Sequence, residues 1–112
     1  MKLVTFGDRR LFLGNEAADA LTEYTAILSS RNSADTVTLN VIGPDGHAVS
    51  ATLVLNQGVT LIAETADETF IEPDNSGAID YMRTQAGAGG RRESNTLSRE
   101  EVSEYRDFFG EI

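Results

Sequence analysis

The sequence predicts an α+β fold: an N-terminal hairpin, an amphipathic helix, a three-stranded antiparallel meander and two short C-terminal helices. Three observations lead to this prediction. Apolar residues recur at helical spacing over residues 15–29. They alternate with polar residues in three runs between positions 36 and 64, as on one face of a sheet. The links between these runs are too short for helical crossovers, so we expect antiparallel strands.

The first elements follow from the N-terminal residues. Two apolar-rich runs, 2–6 and 9–13, flank a Gly-Asp pair, which is typical of a hairpin. Asn15 is expected to cap the helix that follows, because its side chain can accept a hydrogen bond from a free N–H of the first turn. The inward stripe of this helix consists of Ala17, Ala20, Leu21, Tyr24, Ile27 and Leu28.

The meander is predicted over residues 36–42, 47–55 and 59–64. Residues 43–46, Gly-Pro-Asp-Gly, form a strong turn between the first two strands, because Pro presets its own φ and Gly adapts to the exit. Residues 56–58, Asn-Gln-Gly, turn the chain into the third strand. The inward residues are Val37, Leu39, Val41, Val49, Ala51, Leu53, Leu55, Val59, Leu61 and Ala63.

The remaining residues predict two short helices on either side of a linker. Asn75 or Ser76 is expected to cap a helix that ends at Gln85, with Ile79 and Met82 facing inward. Residues 86–95 have the composition of a flexible segment, within a single domain that spans residues 1–112.

The last predicted helix begins at a capping box. Ser98 is its N-cap and Glu101 the third helical residue, whose side chain can bond back to the cap. Val102, Tyr105 and Phe109 form a narrow apolar stripe before the helix stops at Gly110. This helix is therefore expected to dock at the edge of the core.

The charge of the chain restricts its partners. The net charge is −9, and residues 57–112 hold 12 acidic and 5 basic side chains. Such a surface repels nucleic-acid phosphates and anionic membranes, so we predict that the protein binds neither. It would attract another protein with a basic surface. Solubility alone is the open alternative explanation of the charge.

The sequence predicts no catalytic apparatus, no cofactor and no metal. The chain has no Cys, and its one histidine, His47, directly follows a tight turn without a recognisable nucleophile motif. The glycines of residues 87–90 lack the Lys and Ser/Thr of a phosphate-binding loop. The acids after residue 64 are interrupted by Phe70, Ile71 and Pro73, which excludes a calcium-binding EF-hand loop. A small hydrolase or transferase of unrecognised type stays an open alternative.

Residues 65–74, which we term the acidic segment, carry the candidate binding site. Four carboxylates and no basic residue surround an apolar pair, which suits docking on a basic partner with a hydrophobic pocket. In the alternative reading, the apolar pair folds back to close the core or extends the last strand. The predicted partner-binding residues are Asp67, Glu68, Phe70, Ile71, Glu72 and Asp74.

The chain is expected to be cytoplasmic. Its start turns polar too early for a signal peptide, and its apolar runs are far too short to span a membrane. A structural subunit of a larger assembly is a further possible role, and the sequence leaves the oligomeric state open.

Three stretches resemble small uncharacterised proteins of high-GC Gram-positive bacteria, over about residues 1–85. They are Met-Lys-Leu-Val-Thr-Phe at 1–6, Ala-Asp-Ala-Leu-Thr-Glu-Tyr at 18–24, and residues 53–64. This resemblance implies the hairpin–helix–meander–helix order and no activity. Residues 36–64 and 97–110, the latter reading Leu-Ser-Arg-Glu-Glu-Val and ending Phe-Phe-Gly, are faintly similar to immunity proteins of polymorphic-toxin systems. That likeness implies neutralisation of a toxin by binding.

Overall fold

The computed structural model describes residues 1–87 and confirms an α+β fold with an antiparallel sheet. Its five strands lie in the order β4-β3-β2-β1-β5. The elements are β1 Lys2–Phe6, β2 Arg9–Leu13, α1 Asn15–Ser30, β3 Asp35–Ile42, β4 Ala48–Leu55 and β5 Leu61–Thr65. A second helix, α2, covers 76–87.

The N-terminal hairpin is confirmed. β1 and β2 pair antiparallel, with Val4 opposite Leu11 on the face that enters the core. Gly7 in the turn has φ 64°, a left-handed conformation that costs glycine nothing because it has no Cβ. The turn also pairs with the strand beyond, since the Gly7 N–H donates to the Thr60 carbonyl at 2.9 Å.

Helix α1 is confirmed, but the prediction that Asn15 caps it is wrong. The N-cap is Gly14, and no side chain caps the helix. The Gly14 carbonyl accepts the first helical bond, from the Ala18 N–H at 3.0 Å. The chain passes from the buried end of β2 into the helix with only Gly14 between them, so Asn15 is already the first helical residue and cannot cap.

The predicted three-stranded meander is wrong in its third strand. β3 and β4 form the expected hairpin, in which Val37 lies opposite Leu53. β5, however, pairs with β1, in a register that places Ala63 opposite Val4. Residues 56–60 therefore carry the chain from one edge of the sheet to the other. The bond from the Gly7 N–H to the Thr60 carbonyl continues this pairing one residue past the end of β1.

The sheet is held together unevenly. β2 and β3 share a single pair, Phe12 opposite Ile42, whereas β3 and β4 pair along eight residues each. The β3–β4 hairpin thus continues past the end of β2. Residues 35–41 of β3 have no strand pairing on the side away from β4, so their backbone groups there need another partner.

The core lies between the sheet and both helices. Leu21 of α1 and Leu53 of β4 are buried, at 0% and 3% exposure. α2 contributes the predicted inward residues Ile79 and Met82 to the same cluster. α2 runs to residue 87, two residues into the predicted flexible segment. The rest of that segment and the last predicted helix lie outside the described residues.

Candidate functional site

The acidic segment leaves β5 at one edge of the sheet and leads to α2. It begins at an ordered point, where the Ala66 N–H donates to the Met1 carbonyl at 3.3 Å. It has no regular secondary structure before residue 76. The six predicted partner-binding residues fall into three groups by their surroundings.

Phe70 is half-buried against the sheet. Its ring lies 5.1 Å from that of Phe12, centroid to centroid, at an interplanar angle of 59°. Phe12 sits on the face of the sheet opposite Leu11 and Leu13, which are in the core. The Phe70 ring also lies near Gly46, where a Cβ would be 3.7 Å from the ring atom Cε1. Phe70 therefore fixes the segment to the outer face of the sheet, opposite the core, so it neither closes the core nor extends β5.

Ile71 has the opposite environment. Its side chain is 90% exposed, more than any other large apolar side chain in residues 1–87. Asp67 and Glu68 are exposed as well. Among the residues described, neither carboxylate takes part in an ion pair or a side-chain hydrogen bond. An apolar side chain thus projects into solvent beside carboxylates that nothing nearby neutralises.

The last two predicted residues lie at helix N-termini. The carboxylate of Glu72 occupies the space that a Cβ on Gly14 would take, beside the start of α1. Asp74 Oδ1 accepts the Ser76 N–H at 3.0 Å, at the start of α2. This backbone hydrogen bond and one from the Ser76 hydroxyl lower the pKa of Asp74. Negative charge is favoured at both places by the free N–H groups and the dipole of each helix.

Glu72 and Asp74 also line a cleft of about 430 Å³ between the two helix starts. Glu16 of α1 and Asp80 of α2 add two more carboxylates to its wall. Arg83 Nη1 donates to Glu16 Oε2 at 2.7 Å and neutralises part of this charge. Residues 1–87 hold no group of three or more His, Asp or Glu side chains arranged to share a metal ion.

Asn75 joins the acidic segment to β3. Its side-chain Oδ1 accepts the Asn40 N–H, and its Nδ2 donates to the Asn40 carbonyl, both at 2.8 Å. The Asn40 side chain returns a bond to the Asp74 carbonyl at 2.9 Å. Asn75 is 7% exposed. Its side-chain amide therefore makes the two backbone hydrogen bonds that a neighbouring strand would make to Asn40, in the part of β3 that β2 does not reach. The sequence suggested Asn75 only as a possible helix cap, and nothing in it indicated this bond to β3.

A second polar cluster, also missed in the sequence, links α1, β3 and α2. The hydroxyls of Tyr24 and Tyr81 both donate to Asp35 Oδ2, at 2.5 and 2.6 Å. The two rings meet edge to face, with centroids 6.3 Å apart. Tyr24 was assigned to the inward stripe of the helix, and it is indeed buried at 3% exposure. The helical pattern did not indicate that the Tyr24 hydroxyl donates to a carboxylate.

These bonds, together with the burial of Tyr24, shift the pKa values of all three groups. The hydrogen bonds from Tyr24 and then Tyr81 lower the pKa of Asp35. Burial, followed by the bond to Asp35, raises the pKa of Tyr24. The bond to Asp35 raises the pKa of Tyr81. A phenol that is kept protonated beside an ionised acceptor is a poor general base, so the cluster is suited to holding elements together.

His47 lies in the turn region between β3 and β4. Its side chain is 80% exposed, and its Nδ1 is 3.1 Å from Asp45 Oδ2. The His47 N–H donates to Asp45 Oδ1, and this backbone bond is the largest cause of the lowered pKa of Asp45. His47 and Asp45 are close to each other in an exposed turn, and neither residue lines the cleft between the two helix starts.

Comparisons with protein-family models, with curated proteins and with solved structures found no match for this chain. Within residues 1–87, neither helix combines the length and the apolar composition that a membrane span requires.

Proposed function

We propose that this chain is a non-enzymatic protein-binding domain that docks a partner with a basic surface through the acidic segment. The observation that carries this proposal is the 90% exposure of Ile71 beside the exposed carboxylates of Asp67 and Glu68. An isoleucine in water contributes nothing to folding, whereas an isoleucine that enters a partner's pocket supplies affinity. The carboxylates around it attract and orient a basic surface.

The charge along the chain supports the choice of partner. Residues 32–82, which include β3, β4, β5 and the whole acidic segment, contain no Lys and no Arg. A basic partner that approaches this stretch therefore meets no repelling side chain within it. Long-range attraction of this kind raises the association rate and weakens as salt is added.

The six predicted residues take different parts in the proposed interface. Ile71, Asp67 and Glu68 are the residues that contact the partner. Phe70 anchors the segment on Phe12. Glu72 and Asp74, which lie at the helix N-termini, contribute charge at the rim and hold the end of the segment.

The sharper form of the proposal is toxin neutralisation. An acidic surface is complementary to the basic active site of an enzyme that acts on nucleic acid, because such a site is built to bind phosphates. The faint likeness of residues 36–64 and 97–110 to immunity proteins supports the same class of partner.

The test is a binding measurement on defined variants. A partner is first captured from the native host with the immobilised protein, and its association and dissociation rates are then measured by surface plasmon resonance. Ile71→Ser should weaken binding by about tenfold, which corresponds to about 1.4 kcal/mol, mainly through faster dissociation. The double variant Asp67→Asn, Glu68→Gln should slow association and flatten its dependence on salt.

Two matched controls separate the segment from general effects. Ile62→Ser changes another exposed isoleucine, at 49% exposure on β5, and should leave binding unchanged. Asp8→Asn combined with Glu23→Gln removes two exposed charges elsewhere on the surface. If both charge pairs slow association equally, net charge alone steers the partner, and the proposed site is wrong.

A further inference from the structure

β4 forms one edge of the sheet and carries none of the features that usually protect an edge. Natural edge strands are shielded by charged side chains, by proline or by bulges. Residues 48–55 read Ala-Val-Ser-Ala-Thr-Leu-Val-Leu, without a charge or a proline. Val54 is 54% exposed, and Val49, which the alternation predicted to face inward, is 48% exposed. Among residues 1–87, no strand pairs with the outer edge of β4.

The register identifies which backbone groups of β4 bond to no strand within residues 1–87. The N–H and carbonyl of Asn40 bond to the side chain of Asn75, so they point away from β4. Asn40 lies opposite Ser50, which makes this a pair without mutual hydrogen bonds. The N–H and carbonyl of Ser50 therefore point outward from the sheet. Because strands alternate with a period of two, those of Thr52 and Val54 point outward too.

The space beside this edge is lined mainly by apolar side chains. A groove of about 470 Å³ lies between β4 and the tip of the N-terminal hairpin. Its walls include Phe6, Leu11 and the charged Arg9 on one side and Val54 on the other, with Val59 at the connection to β5. No carboxylate of the described residues lines the groove. This is therefore a surface at which a molecule of net charge −9 can approach another such molecule.

We propose that the outer edge of β4 pairs antiparallel with β4 of a second copy of this chain, with Thr52 on the two-fold axis. In this register the outward backbone groups of Thr52 meet those of Thr52 of the other copy, and those of Ser50 meet those of Val54. Each cross-strand pair between the two copies combines a large side chain with a small one: Val54 lies opposite Ser50, and Leu53 lies opposite Ala51. The pairing satisfies the free backbone groups, covers Val54, and places no carboxylate opposite another in residues 48–55.

The test uses the full chain and measures its mass in solution. Size-exclusion chromatography with light scattering, from about 1 to 500 µM, should show the mass rising with concentration toward twice 12.1 kDa. Thr52→Lys and Thr52→Asp should each remain monomeric, because each places two like charges on the axis. An equimolar mixture of these two variants should recover the dimer. Thr36→Lys, an exposed change on the same face of the neighbouring strand, is the matched control and should dimerise as the wild type does.

Three results would overturn the proposal. A wild-type chain that stays monomeric over the whole range shows that no second copy binds this edge, whether residues 88–112, another protein or solvent covers it. A dimer that survives both Thr52 variants forms elsewhere. A mixture of the two charged variants that fails to dimerise contradicts the register, provided that both variants unfold at the wild-type denaturant midpoint.

Discussion

Replacing Phe70 by alanine should destabilise the fold, although this residue lies in a segment without secondary structure. The ring is half-buried between Phe12 and the turn at Gly46. A fully buried Phe→Ala change costs about 3–5 kcal/mol, and an aromatic pair adds about 0.5–1.5 kcal/mol to the burial of its area. Because Phe70 keeps part of its surface in water, we expect a loss of about 2 kcal/mol in the free energy of unfolding. Ile71→Ala, at 90% exposure, should change it by less than about 0.5 kcal/mol.

The assay is equilibrium unfolding in urea, monitored by circular dichroism, for the wild type, Phe70→Ala, Ile71→Ala, Phe12→Ala and the double variant Phe12→Ala, Phe70→Ala. The two aromatic substitutions should be non-additive by about 0.5–1.5 kcal/mol, because each removes the same ring contact. An unchanged slope with denaturant would show that only stability has changed.

Two outcomes would refute this reasoning. Equal midpoints for Phe70→Ala and Ile71→Ala would mean that the Phe12 contact contributes no stability. Additive effects of the aromatic pair would mean that the rings act independently. If Phe70→Ala instead preserved stability and weakened partner binding, Phe70 itself would be a docking residue.

Two further predictions concern the polar contacts between elements. Asn75→Ala should lower the free energy of unfolding by about 1–3 kcal/mol, because it leaves the Asn40 N–H and carbonyl without the Asn75 side chain. In the same urea assay, Asn15→Ala should lower it by less than about 0.5 kcal/mol, because Asn15 does not cap α1. A larger loss at Asn15 would show that it does act as a cap. The lowered pKa of Asp35 means that its contribution to the free energy of unfolding is present above the unfolded pKa of about 3.9 and is lost as pH falls below that value. The raised pKa of Tyr24 means that its contribution to the free energy of unfolding is lost as pH rises above the unfolded pKa of about 10. Asp35→Asn should therefore flatten the dependence of stability on pH at the acid end and reduce it at the alkaline end, where the burial of Tyr24 remains; an unchanged profile would contradict this account.

The sequence predicted the elements whose residues carry a clear period. The stripe over residues 15–29 became α1, and the alternation in residues 36–55 became the β3–β4 hairpin, with Val37, Leu39 and Val41 all buried. In each case one face is apolar and the other polar, so burial of the apolar face determines both the element and its orientation.

The position of β5 was not predictable in this way. Alternation shows which face of a strand is buried but not which strand lies beside it. β5 has the same pattern whether it pairs with β4 or with β1. The pairing of β5 with β1, and the bond from the Gly7 N–H to the Thr60 carbonyl that continues it, join backbone groups that leave no trace in the side-chain pattern.

The site was predicted as a stretch of sequence, and its division into parts was not. Phe70 and Ile71 are adjacent apolar residues, yet one packs on Phe12 and the other is exposed. Glu72 and Asp74 have the same charge as Asp67, but each lies beside the start of a helix. Glu72 lies beside the start of α1, which is distant in sequence, and Asp74 lies at the start of α2, which follows it directly. These differences arise from where the chain crosses other elements, which local composition does not encode.

The fixed points of the acidic segment bear on how it would bind. Ala66 bonds to Met1, Phe70 packs on Phe12 and Asn75 bonds to Asn40, so the residues between them are tied at intervals of four or five positions. A loop tied in this way has already lost much of the conformational entropy that a free loop would lose on binding. Asp67, Glu68 and Ile71 would then be presented to a partner at a lower entropic cost. Loosening the segment at Asn75, which is not itself a proposed contact, should therefore weaken binding even where the folded fraction is unchanged.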